Sequence, residues 1–156
     1  MKTAIFPGSF DPFTLGHQAV VAQALRLFDK VVIAIGENVS KRTLLSVNAR
    51  QRLICDLYKD EQRVECVTYS TLTGELAHKL GAQAIVRGVR NIVDFEYERT
   101  MAQTNSRLFP EVETVLLLTP PTLTDVSSST VRELLAFGRD VQEMMPQGVN
   151  IEEYME

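Results

Sequence analysis

The chain has 156 residues, enough for one domain with a sizeable core, and its 45% hydrophobic and 23% charged residues are ordinary globular values. A net charge of -4 argues against nucleic acid as the main partner, though not against a small anionic substrate met by local positive charge. No apolar run approaches the roughly 18 residues of a membrane span, the start lacks a signal-peptide shape, and Cys55 and Cys66 match no metal-ligand spacing, so a reduced cytoplasm is the expected setting.

The first strand signal, Thr3–Phe6, runs into the stretch "FPGSFDPFTLGHQAVV", Phe6 to Val21. Gly8 lets backbone approach a ligand closely. Gly16 and His17 open a helix predicted over Gly16–Phe28, with Val20, Val21, Ala24, Leu25 and Phe28 on one apolar face. A helix N-terminus presents unpaired N–H groups and the positive end of its dipole, so it favours an anion, and a histidine there can donate to phosphate. The competing account is a tight turn in which His17 only caps the helix.

A second strand, Lys30–Gly36, leads into "ENVSKRTLL", where Lys41 and Arg42 form either a solvated basic loop or an anion contact at the strand's carboxyl end. The helix predicted over Val47–Lys59 has Ser46 as its N-cap and Leu53, Ile54, Leu57 and Tyr58 on its apolar face. A third strand, Val64–Tyr69, precedes a short helix, Thr73–Leu80, closed by Gly81. His78 within it has no partner spacing and reads as surface.

The fourth strand, Ala84–Arg87, opens "AIVRGVRNIVDFEYE" and a longer, more polar helix, Asn91–Leu108. A guanidinium ending a buried strand is costly unless an anion meets it, and its fork fits phosphate oxygens. The local carboxylates Asp94, Glu96 and Glu98 offer the other solution. A fifth strand, Thr114–Thr119, leads to "TLTDVSSSTVREL" and a helix over Ser127–Phe137, closed by Gly138. Thr130 and Glu133 have capping-box spacing. The three serines exceed what a cap needs, so hydroxyls and free N–H groups converge there. A helical tail from about residue 139, with a short helix from Asp140 and a loose end from Pro146, completes the chain; Met144 and Met145 read as packing.

Strict strand–helix alternation implies an α/β fold: a single domain with a five-stranded parallel, Rossmann-like sheet and helices on both faces. Ligands in such folds bind beyond the carboxyl ends of the strands, where strand order reverses. No Ser or Cys is flanked by an obvious base, and no Gly-x-x-x-x-Gly-Lys-Ser/Thr string is present. What remains is a site that positions two phosphorylated molecules and stabilises charge during phosphoryl-group chemistry.

"GSFDPFTLGH" resembles the Gly-x-Phe-Asp…Gly-His signature of the nucleotidyltransferase superfamily, which binds a nucleoside triphosphate. Thr14, where many members carry His, and the block "RGVRN..DFEYE" resemble the phosphopantetheine adenylyltransferase branch. That resemblance implies adenylyl transfer from ATP to 4′-phosphopantetheine by direct in-line displacement, giving dephospho-CoA and pyrophosphate in coenzyme A synthesis. It implies catalytic roles for His17, Lys41 and Arg90. It implies nucleotide contacts from Ser9, Phe10, His17, Gly88, Val89, Arg90 and Glu98, and from the run Leu123, Thr124, Asp125, Val126, Ser127, Ser128 and Ser129. Ser9, Lys41, Thr73 and Arg87 would meet the acceptor. Leu123 stands where many members have an aromatic residue. The resemblance further implies Mg²⁺ bound mainly through ATP phosphates, no metal site on the protein, a cytoplasmic homohexamer, and coenzyme A as a possible inhibitor. Two alternatives stay open: transfer to another phosphorylated acceptor, such as nicotinamide mononucleotide or glycerol phosphate, or a non-catalytic nucleotide-binding regulator.

Overall fold

The computed structural model describes residues Met1 to Met155. Strands β1 (Thr3–Gly8), β2 (Lys30–Gly36), β3 (Val64–Tyr69), β4 (Ala84–Val89) and β5 (Glu113–Leu118) alternate with helices α1 (Leu15–Ala24), α2 (Val47–Leu57), α3 (Thr73–Lys79), α4 (Ile92–Leu108) and α5 (Ser128–Ala136). All paired strands run parallel, in the order β3-β2-β1-β4-β5. This is the expected architecture. Successive side chains of β1 serve opposite faces. Ala4 and Phe6 join the larger core with α1 and α2, while Ile5 joins Val32, Ala77, Ile85 and Val112 in a smaller core beside α3. Burial on both faces is why β1 and β2 read as nearly unbroken apolar runs.

Strand order reverses at β1. It pairs with β2 from Thr3–Lys30 through Gly8–Ile35, but with β4 only at Ala4–Ala84 and Ile5–Ile85. Two steps further, Pro7 would sit beside Arg87. Pro7 has no N–H to give a ladder, and the two strands part there. That parting opens a crevice at the carboxyl ends of β1 and β4.

Several ends differ from expectation. β1 and β4 run on to Gly8 and Val89, so Pro7, Gly8 and Gly88 lie in strands. Helix α1 stops at Ala24, yet Leu25 and Phe28 still pack on the core from the turn that follows. Ser46 caps α2, accepting from Ala49 N at 3.1 Å. Gly81 and Gly138 close α3 and α5 with φ of 65° and 71°. The Thr130–Glu133 capping box does not form; Ser127 is the cap, and its Oγ accepts from Thr130 N at 3.1 Å.

The segment from Pro146 to Met155 is not loose. Two 3-10 turns, Gln142–Met144 and Ile151–Tyr154, carry it back over the larger core. Val141, Met145, Val149, Ile151 and Tyr154 are buried there, and Tyr154 Oη donates to Asp56 on α2 at 2.8 Å. His78 is exposed, as expected, but it does have a partner: Nδ1 lies 3.0 Å from Glu111. Cys55 and Cys66 are free thiols. Among the described residues no helix is long and apolar enough to cross a membrane.

Candidate active site

The turn after β1 is fixed by aromatic packing. Phe10 holds a φ of 51°, uncommon for a residue with a side chain. Its ring stands edge-on to Phe6 at 5.1 Å between centroids. Phe10 and Phe13 also flank His17, at 5.0 and 5.3 Å. His17 is the third residue of α1 and closes a capping box with Thr14. Thr14 N donates to His17 Nδ1 at 2.9 Å, while His17 N donates to Thr14 Oγ1 at 3.4 Å. With Nδ1 accepting, the neutral ring carries its proton on Nε2. Burial, and then the nearby Arg87 and Arg90 guanidinium groups, lower its pKa from 6.5 to about 3. His17 therefore caps the helix and also lines the crevice as a neutral donor.

A cavity of about 320 Å³ lies over this turn. It is lined by Ser9, Phe10, His17, Lys41, Arg87, Gly88, Arg90 and Glu98, and by Val126, Ser127, Ser128 and Ser129 at the head of α5. A second cavity, of about 350 Å³, shares Pro7, Gly8, Ser9, Arg87 and Glu98 with the first and extends past Tyr69, Thr73, Tyr97 and Met101. Thr73 Oγ1 and Tyr69 Oη lie 2.9 Å apart on its wall. Gly88 is needed for packing: a Cβ there would lie 2.8 Å from Val20 Cγ2 on α1. Four expected nucleotide contacts line neither cavity. Val89 is buried in β4, Leu123 is half-buried in a 3-10 turn (Pro121–Leu123), and Thr124 and Asp125 are exposed on the approach to α5.

Arg87 is not the unpaired guanidinium that its strand position suggests. Nε and Nη2 each donate to Glu98 at 2.8 Å, and Nη1 donates to the Pro7 carbonyl where β1 and β4 part. Arg90 is likewise held, its N and Nε each 3.0 Å from Asp94 Oδ2. Asp94 and Glu98 lie one turn apart on α4, so the same helix face serves both arginines. The serine hydroxyls are not spare either. Ser127 caps α5, Ser128 Oγ donates to Pro12 O at 2.8 Å, and Ser129 Oγ accepts from Arg132 at 3.2 Å. The head of α5 thus offers a ligand the unpaired N–H groups of its first turn more than its hydroxyls.

Arg132 and Arg50 escaped the sequence reading, and Asp11 entered it only as part of the signature string. Arg132 lines the first cavity and donates from Nη1 to Asp11 O at 2.7 Å. Its spacing from Ser128 and Ser129, on the same helix face, was the available signal. Asp11 and Arg50, both buried, tie the β1 turn to the Lys41 loop. Among the described residues Lys41 and Arg132 form no ion pair with a carboxylate, so the crevice keeps uncompensated positive charge.

The cytidylyltransferase-like family profile matches residues 5–134. The phosphopantetheine adenylyltransferase of Bacteroides thetaiotaomicron is 47% identical over 151 residues, 97% of this chain and 99% of that one. Its counterpart from Porphyromonas gingivalis is 51% identical over 145 residues, 93% and 94% of the two chains. The chain belongs to the phosphopantetheine adenylyltransferase family. The fold is also that of a bifunctional NMN adenylyltransferase/ADP ribose pyrophosphatase from Francisella tularensis, with a TM-score of 0.71 at 19% identity over 92% of this chain and 44% of that one. The two cavities share Arg87 and so provide room for two ligands side by side. The neutral Nε2 donor of His17 and the cations around it can stabilise charge there with no protein nucleophile.

Proposed function

We propose that the chain transfers the adenylyl group of ATP to 4′-phosphopantetheine, giving dephospho-CoA and pyrophosphate in coenzyme A biosynthesis. Two confluent cavities meeting at Arg87 and Glu98, in a chain of this family, carry the reading. ATP takes the cavity under α5, its phosphates at the α5 N-terminus and Arg90. Ser9, Phe10, Gly88, Glu98 and Val126 flank it, while Val89, Leu123, Thr124 and Asp125 adjoin these residues in the chain without lining the cavity. The acceptor takes the cavity past Thr73, its phosphate met by Ser9, Lys41 and Arg87. An acceptor phosphate oxygen bonds to the α-phosphorus as the bridge to the β-phosphate breaks, and the electron pair leaves with pyrophosphate. His17 donates from Nε2 to the α-phosphate oxygens as charge builds there, while Lys41 and Arg90 hold the phosphates in line.

Among the described residues no group of three or more His, Cys, Asp or Glu is placed to hold a metal ion. The proposal has Mg²⁺ bound mainly through ATP phosphates, where it would offset the charge of the leaving pyrophosphate. We extend the proposal to a cytoplasmic homohexamer inhibited by coenzyme A at the same site. Exposed Ile92, Val93, Phe95 and Tyr97 on α4 support an assembled state. Pyrophosphate release with a panel of acceptors is the test. Release with 4′-phosphopantetheine and not with pantetheine, nicotinamide mononucleotide or glycerol phosphate is expected. Release with one of the others alone would reassign the acceptor. ATP binding without release for any acceptor would make the chain a nucleotide-binding regulator.

A further inference from the structure

Asp11 sits in the turn between β1 and α1 and is only 3% exposed. A buried carboxylate is costly unless its oxygens are satisfied. Here the donors come from a distant segment: Oδ2 accepts from Leu44 N and Oδ1 from Leu45 N, both at 2.8 Å. These two amides end the loop that carries Lys41. The loop's other end is fixed to β3, where Glu37 N donates to Tyr69 O at 2.8 Å. Between the two anchors, residues 38–42 are exposed, and the hydrogen bonds found there are local, as in Lys41 N to Asn38 O at 3.1 Å. Arg50, also 3% exposed, braces the same junction from α2. It donates from Nη1 to Ser9 O at 2.8 Å and from Nε to Leu45 O at 3.2 Å. The lysine is thus tied to the His17 turn through these two buried charges. The acidic one grips the loop backbone directly, with the strength of charge-assisted bonds.

We propose that Asp11 is a positioning residue for Lys41: its clasp on the Leu44 and Leu45 amides sets where the lysine ammonium stands over the crevice. The proposal deepens the proposed function, since it takes Lys41 to meet the transferring phosphates. Asp11→Asn keeps the shape but turns an amide NH₂ toward one of the two N–H groups. Misplacement of a positioned group by about 1 Å can cost as much as a hundredfold.

Three measurements test the clasp. In Asp11→Asn, turnover should fall by about tenfold to a hundredfold, with KM for ATP within about threefold of its original value. In a Lys41→Ala background the same change should cost less than about twofold, because the group it positions is already gone. Hydrogen exchange should quicken at the Leu44 and Leu45 amides while β2 amides keep their protection. Equal losses in the two backgrounds, or unchanged exchange at those amides, would overturn the proposal. If Asp11→Asn does not fold, Asp11→Ser, whose hydroxyl can hold one amide, goes through the same cycle. Failure of both to fold, read by circular dichroism, would make Asp11 a residue of the whole fold and overturn the positioning role. The exchange measurement does not depend on turnover. An unmodified chain inactive with every acceptor would therefore unseat the proposed reaction, while exchange still decides the clasp.

Discussion

The two walls of the crevice hold their polar groups in different ways. On the wall built by the β1 turn, α1 and α5, the partners are mostly backbone. Thr14 N holds His17, the Pro12 carbonyl holds Ser128, and the Asp11 carbonyl holds Arg132. On the α4 wall the partners are carboxylates: Glu98 for Arg87 and Asp94 for Arg90. The fold fixes the backbone, so groups tethered to it on the first wall stand in place before anything binds, which is the preorganisation that electrostatic catalysis needs. A carboxylate can cede an arginine to phosphate, because both match the same fork. The α4 wall is therefore suited to capture and release, and its exposed Tyr97 and Met101 agree with that.

The largest effect is expected on the fixed wall. Loss of one preorganised donor costs about 10²–10³ in turnover, so His17→Ala should lower kcat by that factor and change KM for either substrate little. The capping box adds a second cost, about 1 kcal/mol of stability, read by chemical denaturation. Near-normal kcat in a folded variant would remove the distinction between the walls.

Next comes the exchangeable wall. Arg87→Ala leaves Glu98, with a side chain 8% exposed, without its partner. Stranding a buried charge costs about 3 kcal/mol, so the single variant should be destabilised. Arg87→Ala with Glu98→Gln should regain much of that stability and still bind 4′-phosphopantetheine about tenfold to a hundredfold more weakly, in keeping with a lost charge-assisted phosphate contact. Calorimetry showing undiminished preference for phosphorylated over unphosphorylated pantetheine would make the Arg87–Glu98 pair purely structural.

The neutral state of His17 gives a third measurement. In the unfolded chain a histidine takes up a proton below about pH 6.5, whereas folded His17 stays neutral down to about 3. Between those values the unfolded state binds more protons. Stability should then fall as pH drops from about 6.5, by at most about 1.4 kcal/mol per pH unit from this group, and the loss should end near pH 3. His17→Asn, which keeps a capping side chain, should flatten that slope. Identical slopes in the two proteins between pH 6.5 and 5 would show that the ring is not held neutral.

These walls were not equally legible in the sequence. The central strands β1 and β2 were plain because both of their faces are covered and they read as apolar runs. The fixed wall was half plain, because its turn and capping histidine lie in the contiguous string "GSFDPFTLGH". Its tethers were not: Asp11 to Leu44 and Leu45, or Arg132 to Asp11, join residues far apart whose types are unremarkable alone. For Arg87 the sequence offered two partners, phosphate or local carboxylate, and only the α4 face shows that Glu98 is in reach. The C-terminal end was missed for a related reason. Ile151 and Tyr154 are too sparse to make a periodic pattern, and they are buried only because α2 offers them a surface.

The smallest effect is expected at Leu123, which belongs to neither wall. It ends the 3-10 turn Pro121–Leu123, and its carbonyl accepts from Val126 N at 3.1 Å. The residue is half-buried and lines neither cavity, yet Val126, three residues on, does line the first. If adenine packs at the base of that cavity, Leu123 is close enough in the chain to meet it. An aliphatic side chain supplies area burial but not the additional 0.5–1.5 kcal/mol or so of an aromatic contact. Leu123→Tyr should therefore tighten ATP by less than about tenfold and leave 4′-phosphopantetheine affinity unchanged, because Thr73, Tyr69 and Met101 stand on the other side of Arg87. Calorimetry on each substrate separately reads both values. Weaker ATP binding in a folded variant would mean that the base sits elsewhere, and a change in acceptor affinity would mean that the two cavities are not independent.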